Sequence, residues 1–305
     1  MNVTLPLTIT PSRVGEAAKC HRAHFVRNVL CLEPLGEVPA ALTFGTSLHA
    51  AAAAKWRGLG GAVMRAAALA TFQADGGGDD RHTAALLEQL VTQYDMTALP
   101  IGPHWSGDLA GTTVRALAVE ERITLDLGPL ATLSFQLDRL MQVDLPGLPS
   151  VVGLVDTKSA SRCDQRWRRQ WALDLQQRLY QAAVRRQYGV PLDVHVVEGV
   201  EKFGTGSITY VPIDLYDDST LDEAIAHAIR LVQRDAKIVA QAQRDDGTVD
   251  MDDLLWRAVI QTDISPTHCF DWGRTCALYD ACRGPAAGRE RFLQTFVHVT
   301  PTYLE

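Results

Sequence analysis

Val151-Val152-Gly153-Leu154-Val155 is an unbroken apolar run that passes, with no turn residue between, into Asp156, Thr157 and Lys158. A short continuous apolar run fits a strand buried on both faces, which belongs at the centre of a sheet. Alternate residues of a strand share a face, so a carboxylate and an ammonium two apart are held rigidly side by side. A divalent cation needs hard oxygen ligands held in that way. Asp156 then offers a carboxylate and Thr157 a backbone carbonyl. Lys158 offers a cation for an attacking water or for the charge that develops on a phosphate.

The chain around this strand changes period near residue 116. Before it the pattern is helical. Ser12 can cap a helix through Cys20 toward Leu30, and Thr46 or Ser47 can cap a second through His49 to Trp56, with a Gly/Asp loop over 74–80. After it, strands are expected over 123–127, 133–143 and 151–156, then a helix over 167–188 closed by Gly189 and Pro191. Strands over 194–200 and 207–213, helices over 220–243 and 252–261, and a cysteine-rich tail complete the α/β order αβββαβ with helical additions. Three regions follow: 1–115, helical; 116–215, the α/β core; and 216–305, helices and the cysteine-rich segment.

With 305 residues, 47% of them hydrophobic, the chain can bury one large core or a core with a satellite. No apolar run approaches the roughly 20 residues of a membrane span, and a cytoplasmic protein is expected. A net charge of −7 argues against a wholly basic, nucleic-acid-coating surface. One segment runs the other way: from Lys158 to Arg186 eight cations face only Asp164 and Asp174. Such a stretch is either a solvated helix face or a track for a phosphate backbone.

An Asp-x-Lys triplet alone says little, and Asp235-Ala236-Lys237 repeats it inside a polar-faced helix with no partner acid in view. The company of the first triplet is what singles it out. Asp138, in Leu-Ser-Phe-Gln-Leu-Asp-Arg-Leu, breaks an alternating strand and can meet Asp156 across neighbouring strands, or else pair with Arg139. Gln176 and Tyr180 are four apart and share a helix face, while Leu175, Leu179 and Ala183 share another that can pack on the sheet. His49 is either a ligand or a core histidine. Cys269, Cys276 and Cys282 are separated by six and five residues, spacings wider than structural zinc prefers and better suited to a larger cluster. Cys31 and Cys163 read as small buried residues.

Taken in order, Ser12, Lys-Cys-His-Arg-Ala-His-Phe, Phe-Gly-Thr-Ser-Leu-His, Asp138, Val-Asp-Thr-Lys, Gln-Gln-Arg-Leu-Tyr and the three-cysteine tail resemble the RecB-type, iron–sulfur branch of the PD-(D/E)XK nuclease superfamily. That branch includes CRISPR-associated and phage-encoded exonucleases. The resemblance implies a restriction-endonuclease-like core with a central mixed sheet. It makes His49, Asp138, Asp156 and the Thr157 carbonyl ligands of Mg2+ or Mn2+, and Lys158 the catalytic lysine. It makes Gln176 and Tyr180 the DNA-positioning pair, and Cys20, Cys269, Cys276 and Cys282 the ligands of a [4Fe-4S] cluster.

The chain departs from the pattern in three places. Asp156 stands where the usual residue is Glu; Ser134, Phe135, Gln136 and Leu137 occupy the stretch where a glycine often precedes the motif aspartate; and the six-residue cysteine spacing exceeds the common two. The expected activity is metal-dependent hydrolysis of DNA phosphodiesters from an end, in recombination, repair, or CRISPR or phage DNA processing. Recombination or CRISPR-adaptation proteins are the partners it implies. Trp167 or Trp171 is then available to stack on a base, and Glu120 or Glu121 to join the site. The rival expectations are a non-catalytic DNA-binding subunit with the same fold, a structure-specific endonuclease with structural zinc, and a metabolic iron–sulfur enzyme.

Overall fold

The computed structural model describes residues 7–30, 32–34, 40–102, 111–129, 131–171, 174–203 and 206–244, with positions 253, 254, 257, 261 and 296–298 beyond them. The chain divides into two compact units. One comprises Met1–Gly36, Thr124–Phe135 and Ser219–Glu305, the other Glu37–Ile123 and Gln136–Asp218.

In the first unit, β1 (Leu7–Ile9) runs parallel to the start of β4 (Ala131–Asp144), Leu7 opposite Ala131. α1 (Pro11–Lys19) is capped by Thr10 rather than Ser12. The Thr10 hydroxyl accepts from the Arg13 amide at 3.3 Å, and Pro11 fills the first helical position, where a missing N–H costs nothing. α2 (His21–His24) continues into a π-helical turn, Phe25–Val29, and β2 (Leu32–Pro34) pairs antiparallel with β8 (Phe296–His298). α8 (Asp218–Gln241) buries a stripe at helical spacing that includes Ala228, Leu231, Val232, Ile238 and Val239. Asp235 lies within that stripe. It is 1% exposed, and its two oxygens meet His21 Nε2 at 2.7 Å and His24 Nε2 at 3.0 Å. The second Asp-x-Lys triplet therefore does not sit on a polar face. Its aspartate is a buried, fully partnered acid.

The second unit begins with α3 (Ala40–Trp56), α4 (Gly61–Ala74) and α5 (Ala84–Thr97). They pack through Phe44, Leu48, Met64, Phe72, Leu87 and Tyr94. Thr46 and Ser47 are inside α3 and cap nothing. Their hydroxyls bond the carbonyls of Leu42 and Thr43, four residues back, which leaves the alanine-rich helix free to start earlier. The sheet follows as β3 (Thr113–Asp126), β4, β5 (Val151–Ala160), β6 (Val194–Glu201) and β7 (Ile208–Pro212). β4 and β5 are antiparallel, β5 and β6 parallel, β6 and β7 antiparallel, so the sheet is mixed, as expected.

A parallel pair needs a crossover, and the segment between β5 and β6 supplies one. It holds two helices, α6 (Gln165–Arg169) and α7 (Leu175–Tyr188), where one was expected. Both acids of the basic segment are helix caps: Asp164 accepts from the Trp167 amide at 2.9 Å and Asp174 from the Gln176 amide at 2.8 Å. Residues 153–157 of β5 are buried in unbroken succession, the two-faced burial that the apolar run called for.

Candidate active site

The site is assembled from the strands and two helices, α3 and α7, of the second unit. Arg139 stands opposite Val155 in the β4–β5 ladder, so one step along it Asp138 and Asp156 come side by side on one face. The Thr157 amide donates to Asp138 Oδ2 at 2.5 Å. Lys158 shares that face, and its Nζ lies 2.7 Å from Asp156 Oδ1. The other Asp156 oxygen, Oδ2, accepts from Gln177 Nε2 of α7 at 2.9 Å. The triplet is interior to β5 and not at its end, because parallel pairing with β6 continues to Ala160 opposite Glu201.

α3 brings His49. One turn earlier Gly45 passes so close to β5 that a Cβ there would sit 3.0 Å from Ser159 Oγ, and the missing side chain lets the helix approach the strand. His49 Nδ1 then lies 3.5 Å from Asp138 Oδ1 and 3.6 Å from Glu120 Oε1. The structure decides between the two adjacent acids of β3: Glu120 faces the site, whereas Glu121 is exposed and lies on the side of Tyr188. The reason is local backbone. Glu120 has a left-handed φ of 50°, and Ala118 and Ile123, an odd five apart, are both buried, so one extra residue is inserted there and Glu120 is re-aimed. Gln136 steadies the other Glu120 oxygen at 2.6 Å.

The electrostatics follow from burying like charges together. Desolvation raises the Asp138 carboxyl, and the neighbouring Asp156 raises it further, to about 6, against the opposing pull of His49 and Lys158. Burial alone would lower His49, but Asp138 and Glu120 outweigh it and hold the imidazole at about 9. Burial would lower Lys158 too, yet Asp156, Tyr180 and Asp138 raise it, so it stays an ammonium. Burial also drives Tyr180 upward, and it remains a neutral phenol. The ligand atoms of His49, Glu120 and Asp138 all lie within 4.8 Å of one another. One imidazole nitrogen and two carboxylate oxygens, with like charges crowded around them, suit a hard divalent cation such as Mg2+ or Mn2+. His49, Glu120, Asp138 and Lys158 line one cleft of about 1000 Å³, whose rim carries the exposed side chains of Leu42, Leu59 and Val63.

Other expected residues fall elsewhere. Gln176 and Tyr180 do share a face, and Gln176 Nε2 donates to the Tyr180 hydroxyl at 2.7 Å. Arg139 does not pair with Asp138; it points to the opposite face and forms a bidentate pair with Glu198 at 2.9 and 3.1 Å. Arg162, Arg166, Arg168 and Arg169 are exposed. Trp167 is not open to a base, since its ring fills the space above Gly199, where a Cβ would sit 2.3 Å from it. Cys20 is buried, as is Cys163, while Cys31, Cys269, Cys276 and Cys282 lie outside the described residues. Two residues that pattern alone did not single out complete the picture: Gln177, masked by the adjacent Gln176, and Glu198, an acid within the valine-rich strand β6.

A family model for the PD-(D/E)XK nuclease superfamily matches residues 8–283, and the chain belongs to that superfamily. Membership supports a nuclease that works with divalent metal ions on DNA. Among solved structures, a protein of Eubacterium rectale described as a candidate exonuclease is similar at 15% identity, over 94% of this chain and 93% of that one, with a TM-score of 0.47. No curated protein matches the chain. No helix among the described residues is long and apolar enough to cross a membrane.

Proposed function

We propose that the protein is a Mg2+- or Mn2+-dependent DNA exonuclease that acts on single-stranded or otherwise exposed ends. The observation that carries this is the convergence of His49, Glu120 and Asp138, ligand atoms within 4.8 Å, with Lys158 on the wall of the same cleft. His49, Glu120, Asp138, Asp156 and the Thr157 carbonyl would hold the metal, which when bound acidifies a water and neutralises charge on the scissile phosphate. Lys158, kept as an ammonium, orients the attacking water or takes up charge on the phosphate oxygens. Tyr180 stays protonated and can donate to a phosphate oxygen, with Gln176 fixing its hydroxyl. The apolar rim of Leu42, Leu59 and Val63 favours an unpaired end, because a duplex hides its base faces whereas a single strand offers them to apolar side chains. The exposed arginines before and along α6 suit the backbone.

The test is digestion of end-labelled linear and covalently closed circular DNA, single- and double-stranded, with and without Mn2+. Mononucleotides or short products from linear single strands alone are expected; cutting of circles overturns the exonuclease assignment. A [4Fe-4S] cluster on Cys20, Cys269, Cys276 and Cys282 belongs to the same proposal. Anaerobically purified protein should then be brown and contain iron and acid-labile sulfide in equal amounts, and colourless protein carrying one zinc would reject it.

A further inference from the structure

α7 carries two fully buried glutamines one turn apart, and they are used differently. Gln181 donates to His195 Nδ1 at 2.9 Å and to the Asp214 carbonyl at 2.8 Å, and its Oε1 accepts from the Tyr216 amide at 3.1 Å. Both ends of that amide are engaged in tying α7 to β6 and to the segment beyond β7. Gln177 has a single described partner, Asp156 Oδ2 at 2.9 Å, and its buried Oε1 has none. An unpaired buried carbonyl costs stability, so nothing at that end of the amide explains the residue. The other end does something specific. Asp156 is 3% exposed, and Lys158 at 2.7 Å occupies its Oδ1. Should Lys158 turn to water or phosphate, Gln177 would be the side chain still orienting the carboxylate.

We infer that Gln177 is the positioning residue of the site: by holding Oδ2 of Asp156 it presents Oδ1 to the divalent metal. The inference rests on Asp156 being a metal ligand. Hydrogen bonds from outside the ligand set orient ligating carboxylates, and their loss typically weakens metal binding by about 10- to 100-fold.

The experiment is calorimetric titration of the metal-free full-length protein with Mn2+, alongside melting temperature and cleavage at several Mn2+ concentrations. Q177M, which keeps bulk and removes the donor, should weaken Mn2+ binding about tenfold or more, with cleavage largely recovered at high Mn2+. Q181M, an equally buried deletion one turn away, should lower the melting temperature yet leave Mn2+ affinity unchanged. If Q177M does not fold, Q177L serves, and it should weaken Mn2+ binding as much, because it too lacks the donor to Oδ2 of Asp156. Wild-type Mn2+ affinity in a folded Gln177 variant, or equal losses in Q177M and Q181M, overturns the inference. D156A separates the two levels: if it binds Mn2+ like the wild type, the ligand assignment falls and this inference with it. If D156A loses the metal while the Gln177 variants keep it, only the inference falls.

Discussion

The β4–β5 pair carries buried charge on both faces, and the two faces are built on opposite terms. On one, Glu198 accepts from Arg139 Nη1 and Nη2, the Tyr94 hydroxyl and the Thr157 hydroxyl, all between 2.8 and 3.1 Å, and Trp56 closes over the guanidinium at 4.5 Å. Opposite charges meet, and Glu198 is saturated by donors from Arg139, Tyr94 and Thr157. On the other face, Asp138, Asp156 and Glu120 crowd together with His49 and Lys158 to offset them, and Asp138 is held so far from comfort that its carboxyl rises to about 6. Adjacent residues, Asp138 and Arg139 or Asp156 and Thr157, thus serve opposite ends. The difference teaches how to tell a structural charge cluster from a functional one: the first is closed and neutral, the second open to a cleft and unbalanced until something positive arrives.

If this contrast is sound, Lys158→Met should cost cleavage about 100- to 1000-fold, the scale of removing one preorganised charge stabiliser, with little change in stability. Quantified cleavage beside a thermal melt reads both; a folded variant that cuts at the wild-type rate would remove Lys158 from the chemistry. Next in size, Glu198→Gln should destabilise the protein by about 3–5 kcal/mol, because it leaves the buried Arg139 charge without its partner. Urea unfolding measures this, and a loss below about 1 kcal/mol would mean the closed face is not closed.

The same kind of substitution on the open face should have the opposite sign. Asp138→Asn in EDTA should stabilise by about 1–2 kcal/mol by relieving a desolvated like charge, while abolishing Mn2+ binding. Destabilisation by Asp138→Asn would erase the distinction between the faces. The smallest effect concerns His195, opposite Leu154 and so on the Asp156 face, but sealed beneath α7. Burial lowers its imidazole to about 4 from an ordinary 6.5, so the fold favours the neutral ring. That contribution is fully present above pH 6.5 and is lost as pH falls from there toward 4. Urea midpoints from pH 7.5 to 4.5 should fall more steeply in the wild type than in His195→Gln; parallel curves would show the ring is not sealed.

Much of this was legible in the chain itself. The unbroken apolar run at 151–155 required a strand covered on both sides, and β5 is one; the shift of period near residue 116, the Gly189 stop of α7 and the αβββαβ order of elements all have local causes in pattern and turn chemistry. Asp156 and Lys158 could be placed on one face because strand alternation is a property of the backbone alone, while Asp138 joins them through the β4–β5 register. What local pattern could not supply was partnership across the fold. Asp156-Thr157-Lys158 and Asp235-Ala236-Lys237 are equivalent as strings, yet one aspartate meets Lys158, Gln177 and a neighbouring carboxylate at a cleft, and the other is neutralised by His21 and His24. Choosing Glu120 over Glu121 took a left-handed backbone at one residue. Alternation alone sends Arg139 and the adjacent Asp138 to opposite faces, but finding Glu198 there as the partner of Arg139 took the β4–β5 and β5–β6 registers. Periodicity assigns a side chain to a face, but a charge is stabilised or kept reactive by what the rest of the chain brings within about 4 Å of it, where Coulomb energy and desolvation are largest.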